Sequence, residues 1–324
     1  MRLVHEPAAA AEALAAGWLA ALPTETVYGL GALAEDPRAI ARIYAVKGRP
    51  ADHPLIVHLG SVAALRAWAS TIPGYATELA RAYWPGPMTL VLPRTDRARD
   101  FVTGGQGCVA LRVPAHPVLA EVLDLLADLV ADQAVGVAAP SANRFGRVSP
   151  TTAEHVRAEL AEGLGEGDVI LDAGPCTVGI ESTIVDCTDR APRLLRPGAI
   201  SAAQVEQVTG LPCANRSPIR ASGTLASHYA PTAQVRVVDE ADLQPAIDID
   251  GRAGIGLLAL ESVPTPLGIV RLGAPPTAQA YAAGLYRALR EADELGLDQV
   301  LVVLPPTEGI GLAIRDRVVR AAHR

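Results

Sequence analysis

The densest run of reactive side chains lies in L-P-T-E-T-V-Y-G-L-G (22–31) and K-G-R-P-A-D-H-P-L-I-V-H (47–58). Two threonine hydroxyls, Glu25, Tyr28, Lys47, Arg49, His53 and His58 fall in this window. Such a set fits groups presented at strand ends and loops by a rigid scaffold. The alternative is a turn-rich loop whose Thr and Asp only cap helices. Lys47 is the one lysine among 28 basic residues, all the others being arginine. Under such a drift toward arginine, a retained lysine points to a compact ammonium that a planar guanidinium cannot replace, against the alternative of a solvated lysine that the drift has not yet erased. A second polar group, A-P-S-A-N-R-F-G-R-V-S-P (139–150), follows an apolar run. Its Ser141, Asn143 and Ser149 can bind an anion alongside free backbone N–H groups, or else the segment caps the next helix. T-V-G-I-E-S-T (177–183) and L-L-R-P-G (194–198) add Ser182 and Arg196.

Several familiar chemistries are absent. The chain has no G-x-x-x-x-G-K-[ST], G-x-S-x-G or H-E-x-x-H motif. Two G-x-G-x-x-A matches, at Gly29 and Gly254, lack a convincing helix with a suitably placed acidic residue, so neither reads as a dinucleotide site. What is left is a set of cations and hydroxyls. Lys47, Arg49, Arg112 and Arg196 can together neutralise a polyphosphate. Phosphoryl or nucleotidyl transfer needs mainly positioning and charge stabilisation, so Mg²⁺ carried in by the nucleotide suffices and no metal site of protein side chains is expected.

The elements that must position these groups read as α/β. Strand-like runs at 54–59, 88–93, 108–113, 134–139, 168–173 and 182–187 alternate with helical runs, and the short Gly- and Pro-bounded strands predict a mixed sheet. A first helix spans Pro7 to Gly17, and a second opens at Asp36-Pro37, with Asp as N-cap, and runs into Gly48. That places Lys47 and Arg49 at a helix C-terminus. Further helices fall at 116–130 and 152–162. Residues 210–231, polar and holding three prolines, read as a linker between a domain over 1–209 and a smaller α/β domain over 232–324. The second domain has strands in QVRVVD, IGLLAL, GIVRLG and QVLVVLP, with helices at 276–295 and 310–322.

Composition narrows the function class. The chain has 324 residues, 50% hydrophobic, and a net charge of -7. The first 200 residues carry 17 basic against 22 acidic groups, so no half is a basic nucleic-acid-coating module. Cys108, Cys176, Cys187 and Cys213 stand far apart without a C-x-x-C pair, which fits neither zinc nor disulfides and suits a reducing cytoplasm. No membrane span or signal peptide is read.

Seven motifs in order carry a resemblance: P-T-E-T-V-Y-G-L-G, K-G-R-P with P-L-I-V-H, W-P-G-P-M-T-L-V-L, A-L-R-V-P, A-P-S-A-N with S-P-T, G-I-E-S-T-I-V-D and L-L-R-P-G. Their order resembles the YrdC-like domain over the first 200 residues. The S-H-Y-A-P linker and the appended domain resemble the two-domain threonylcarbamoyl-AMP synthases. The resemblance implies a twisted mixed-sheet YrdC-like domain followed by a smaller Rossmann-like domain. It also implies condensation of L-threonine, bicarbonate or CO2, and ATP into threonylcarbamoyl-AMP and pyrophosphate. A downstream threonylcarbamoyl transferase then modifies the adenosine next to the anticodon of tRNA, and direct tRNA contact stays open.

Carried over by motif, Thr26, His58, Arg112 and Ser182 look like the threonine-binding set. Arg49, His53, Cys108, Ser141, Asn143, Ser149, Arg196 and Tyr229 look like ATP contacts, and Lys47 with Arg49 like the catalytic pair. His53 stands where the family commonly has Asn, and Cys108 where it has Thr. Ser227, His228 and Tyr229 resemble a segment that folds over the active site, against the alternative that Tyr229 only anchors the domain boundary. Two rivals are weighed. Hydrogenase maturation carbamoyltransferases share the fold but carry an acylphosphatase unit and zinc motifs that this sequence lacks. An RNA-binding module would need a basic face, which the acidic totals weaken.

Overall fold

The computed structural model describes residues 1–215, 217–225, 228–250 and 254–323, the side chains of 248–250 excepted. Two compact units divide the chain. The first comprises Met1–Phe145, Pro150–Thr177 and Glu181–Thr224; the second comprises Gly146–Ser149, Val178–Ile180 and Leu225–Arg324. Residues 210–224, read from sequence as linker, thus belong to the first unit, while two short segments of the expected catalytic domain belong to the second.

In chain order the first unit contains β1 (Arg2–Val4), α1 (Pro7–Ala15), β2 (Ala20–Leu22), β3 (Gly29–Leu33), α2 (Pro37–Lys47), β4 (Ile56–Leu59), α3 (Leu65–Trp68), α4 (Gly74–Tyr83) and β5 (Met88–Pro93). There follow α5 (Asp100–Thr103), β6 (Cys108–Arg112), α6 (Pro117–Leu129), β7 (Gly136–Ala138), α7 (Ala153–Leu160), β8 (Val169–Leu171), β9 (Thr183–Asp186), β10 (Arg193–Arg196) and α8 (Ala202–Thr209). The ten strands form one sheet in the order β1-β8-β2-β3-β7-β4-β6-β5-β9-β10. Its pairings are mixed: β4 runs parallel to β6 and β5 to β9, whereas β3–β7, β4–β7 and β5–β6 are antiparallel. The expected mixed sheet is present.

Both faces of the sheet are covered, and the period-2 alternation of strands distributes side chains between them. Ala20 and Leu22 of β2 join α1 and α6 in one core, while Ala21 joins α2 and α4 in the other. The strands β2 and β3 were not legible in sequence, because Ala and Gly residues dominate them and give no β-branched signal. Helix α2 begins as expected: the Asp36 carboxylate accepts from the N–H groups of Arg38 (2.8 Å) and Ala39 (3.2 Å). Its buried stripe runs Ile40, Ile43, Tyr44, Lys47, the spacing of one helix face. Gly48 stops the helix in the left-handed region, with φ 61°, where glycine carries no Cβ penalty. Lys47 therefore projects into the domain instead of into water.

The second unit contains β11 (Gln234–Val237), α9 (Leu243–Asp250), β12 (Ile255–Leu258), β13 (Val270–Gly273), α10 (Ala278–Glu294), β14 (Gln299–Val302) and α11 (Gly311–Ala322). Its four strands form a parallel sheet in the order β11-β14-β12-β13, the smaller α/β domain expected. No helix among the described residues is long and apolar enough to cross a membrane.

Candidate active site

Neighbouring strands of the first unit set the polar residues side by side. His58 on β4 and Arg112 on β6 are direct register partners. Arg112 is 3% exposed and held from two sides: its Nε donates to Gly86 O (3.1 Å) and its Nη1 to Thr26 Oγ1 (2.9 Å). Thr26 Oγ1 lies 2.7 Å from Thr24 Oγ1, and Thr24 Oγ1 also accepts from Thr26 N and Val27 N, closing a tight turn between β2 and β3. Burial and the Arg112 guanidinium push the His58 imidazole down to about 3, so this ring is neutral at physiological pH.

Ser182, at the mouth of β9, connects to a second guanidinium. Its hydroxyl is 2.7 Å from Thr89 Oγ1 on β5 and accepts from Arg196 Nη2 (3.1 Å), while its carbonyl accepts from Arg196 Nε (3.0 Å). The remaining arm of Arg196, Nη1, donates to Ser222 O (2.9 Å). Arg49 is turned toward the same segment, its Nη2 donating to Pro54 O (2.9 Å) and reaching Ser222 Oγ at 3.5 Å. Its guanidinium also stands over the Phe145 ring at 5.7 Å, and that ring meets His53 edge-on at 5.3 Å. Burial and Arg49 lower the His53 pKa.

Lys47 forms a third node. Its Nζ donates to Ser141 O (2.5 Å) and to Asn143 O, which clamps the 139–145 loop onto the end of α2. Burial and the neighbouring Arg49 charge push its pKa well down, opposed by the Glu159 carboxylate. Cys108 sits apart from these polar groups in an apolar patch with Ile56, Val91 and Ile184, covered by Ile219 and Ala221. Burial raises its thiol to about 11. The patch and its cover leave a cavity of only ≈10 Å³.

Residues 213–215 and 217–224 thus form a strap on the first unit. Asp186, fully buried, accepts from Ser217 Oγ at 2.7 Å and from Arg193 Nε at 2.9 Å, and Arg220 donates to Gly104 O at 2.8 Å. Sequence reading missed the strap's apolar residues because Ile219 and Ala221 are isolated among polar ones.

Of the residues singled out from sequence, Thr26, Lys47, Arg49, His53, His58, Cys108, Arg112, Ser141, Asn143, Ser182 and Arg196 all lie in the first unit. Ser149 and Tyr229 belong to the second. Tyr229 is 1% exposed, adopts φ 64°, stacks on Tyr286 (5.6 Å) and lies under the Arg317 guanidinium (5.3 Å), surroundings that fit an anchoring residue. Ser227 lies outside the described residues. Sequence reasoning gave no role to Thr24, Gly86, Thr89, Phe145 or Ser222, which orient the others. Only the T-x-T spacing of Thr24 and Thr26 offered a signal.

Comparisons with known proteins bear on this arrangement. The Sua5/YciO/YrdC family model, described as telomere recombination, matches residues 12–198, and the model for the C-terminal domain of threonylcarbamoyl-AMP synthase matches residues 200–323. The threonylcarbamoyl-AMP synthase of Bacillus subtilis is 39% identical over 97% of this chain and 92% of its own. That of Pyrococcus abyssi is 36% identical over 94% of this chain and 91% of its own. The crystal structure of P. abyssi Sua5 complexed with L-threonine matches with a TM-score of 0.88 at 36% identity, covering 99% of this chain and 97% of that one.

Proposed function

Because the chain belongs to the two-domain threonylcarbamoyl-AMP synthase family, we propose that it condenses L-threonine, bicarbonate or CO2, and ATP into threonylcarbamoyl-AMP and pyrophosphate. It is in this reading a nucleotidyltransferase, and its product serves formation of N6-threonylcarbamoyladenosine in tRNA. The observation that carries the reading is the buried Arg112, fixed by Gly86 and Thr26 on the strand next to His58, in a unit that also buries Lys47, Arg49 and Arg196.

A bidentate guanidinium suits the threonine carboxylate, and Thr26, His58 and Ser182 complete the amino-acid pocket. After carboxylation of the threonine amine, a carbamate oxygen attacks the α-phosphorus of ATP and pyrophosphate leaves. Lys47 and Arg49 stabilise the charge that grows on the phosphates, and no covalent enzyme intermediate is required. Mg²⁺ arrives with ATP. His53, Ser141, Asn143 and Arg196 complete the proposed nucleotide contacts; the ATP roles given to Cys108, Ser149 and Tyr229 rest on the resemblance alone.

The strap is the element we assign to closure. Ser222 occupies Arg196 and approaches Arg49, the guanidinium groups needed for phosphate, so triphosphate binding exchanges those contacts for charge-assisted ones. A closed strap would keep water from a labile acyl-adenylate. Four buried free thiols suit a reducing cytoplasm. The downstream partner in this reading is a threonylcarbamoyl transferase, and any contact with tRNA is transient.

The decisive assay incubates the pure protein with ATP, Mg²⁺, bicarbonate and each amino acid in turn. Pyrophosphate and an AMP adduct are read by mass spectrometry. Threonine-dependent adduct is the expected result, and its absence with every amino acid would remove the synthase reading.

A further inference from the structure

Glu25 stands in the turn that Thr24 closes, is 7% exposed, and places Oε1 2.7 Å from Arg112 Nη2. Neither of its carboxylate oxygens makes an aligned hydrogen bond among the described residues. A buried carboxylate is costly unless paired, and this ion pair is the contact that offsets the cost of burying Glu25. Arg112 does not depend on Glu25 for its orientation, because Gly86 O and Thr26 Oγ1 already fix Nε and Nη1. The pair is therefore a contact that a ligand can divide.

A zwitterionic amino acid brings one negative and one positive group on adjacent carbon bonds. If its carboxylate takes Arg112, the Glu25 carboxylate is left without a counter-charge in a low-dielectric pocket. The titratable neighbours cannot supply one. Burial lowers the His116 pKa although Glu25 opposes it, burial raises the Cys176 thiol to about 12, and His58 beyond Arg112 is neutral. The substrate ammonium can. One internal ion pair would then be exchanged for two with no net charge buried, whereas a carboxylate lacking the amine would bury an excess negative charge.

We propose that Glu25 is the counter-charge for the substrate ammonium and selects the amino acid over the corresponding hydroxy acid. This rests on the threonine-binding reading above. The probe is (R)-3-hydroxybutyrate, which is L-threonine without its amine, compared with L-threonine by titration calorimetry on the full chain. In Glu25→Gln, threonine should weaken by about tenfold to a hundredfold while the hydroxy acid holds or tightens. Failure of the hydroxy acid to gain on threonine in this variant overturns the assignment, because a merely structural Glu25 would cost both ligands alike. Should Glu25→Gln not fold, Glu25→Asp decides: a preference for threonine within about threefold of the wild type supports the role, and its collapse overturns it. Wild-type protein that binds no threonine would overturn the functional reading as well, which separates the two failures.

Discussion

Replacing Lys47 by Met keeps the length and volume of the stem but removes the ammonium, and the structure allows both consequences to be sized. Lys47 Nζ is the donor to Ser141 O and Asn143 O in a position only 3% exposed. Leaving the buried Asn143 carbonyl and the part-buried Ser141 carbonyl without that donor costs up to about 1–3 kcal/mol each, or roughly 2–6 kcal/mol together. For a unit of this size, about 2–4 °C is lost per kcal/mol, so its melting transition should fall by roughly 5–20 °C. The second consequence is chemical. A preorganised cation aimed at developing charge is worth about 3–4 kcal/mol, so threonine-dependent pyrophosphate release should drop on the order of a hundredfold to a thousandfold. Differential scanning fluorimetry and the pyrophosphate assay, run on the same preparation below the new melting point, separate the two. A Lys47→Met protein with unchanged melting and near-normal turnover would refute both the clamp and the catalytic role. Loss of melting temperature with intact turnover would leave the lysine as a loop clamp alone.

Arg112→Ala should weaken threonine binding by about thirtyfold or more while ATP affinity is largely kept, because truncation strands Glu25 and removes the carboxylate partner; equal losses in calorimetry would move Arg112 out of the amino-acid pocket. His58 titrates at about 3 when folded against 6.5 in its ordinary state. The unfolded chain therefore binds the extra proton: His58's share of stability is intact above pH 6.5 and is lost as pH falls toward 3. That share is about 2 kcal/mol between pH 7 and pH 5. Urea midpoints at the two pH values should show this loss in the wild type and not in His58→Gln, and parallel losses would refute it. Ser217→Ala removes the strap's hydrogen bond to buried Asp186, a charge-assisted contact of about 1.5–3 kcal/mol. Faster proteolysis within 213–224 and tighter ATP binding are expected, and unchanged cleavage would show that the strap is held elsewhere.

Strong local signals in the chain settled a good part of this protein unaided. Asp36, Pro37 and Gly48 bounded α2, and the apolar runs of β5, β6 and β9 marked three neighbouring strands of a mixed sheet. These readings succeed because capping, helix termination and hydrophobic period are decided within a few residues. The seven ordered motifs likewise identified the residues that matter, Lys47 and Arg112 among them.

Tertiary structure alone decided what those residues touch. The Lys47 clamp joins positions 94 and 96 residues apart, and the Arg112–Thr26 bond spans 86. Nothing local encodes such pairings. Strands β2 and β3 emerged only because neighbouring strands accept Ala- and Gly-rich segments that carry no strand preference of their own. The segment 213–224 read as polar linker since its few apolar side chains have no period; its described residues became a strap because an apolar patch and a buried Asp186 lie where the chain passes. Glu25 was visible as one acidic letter among hydroxyls. Its meaning came from burial beside Arg112, since a carboxylate's role depends on which charges share its low-dielectric surroundings, and only the folded chain brings those charges together.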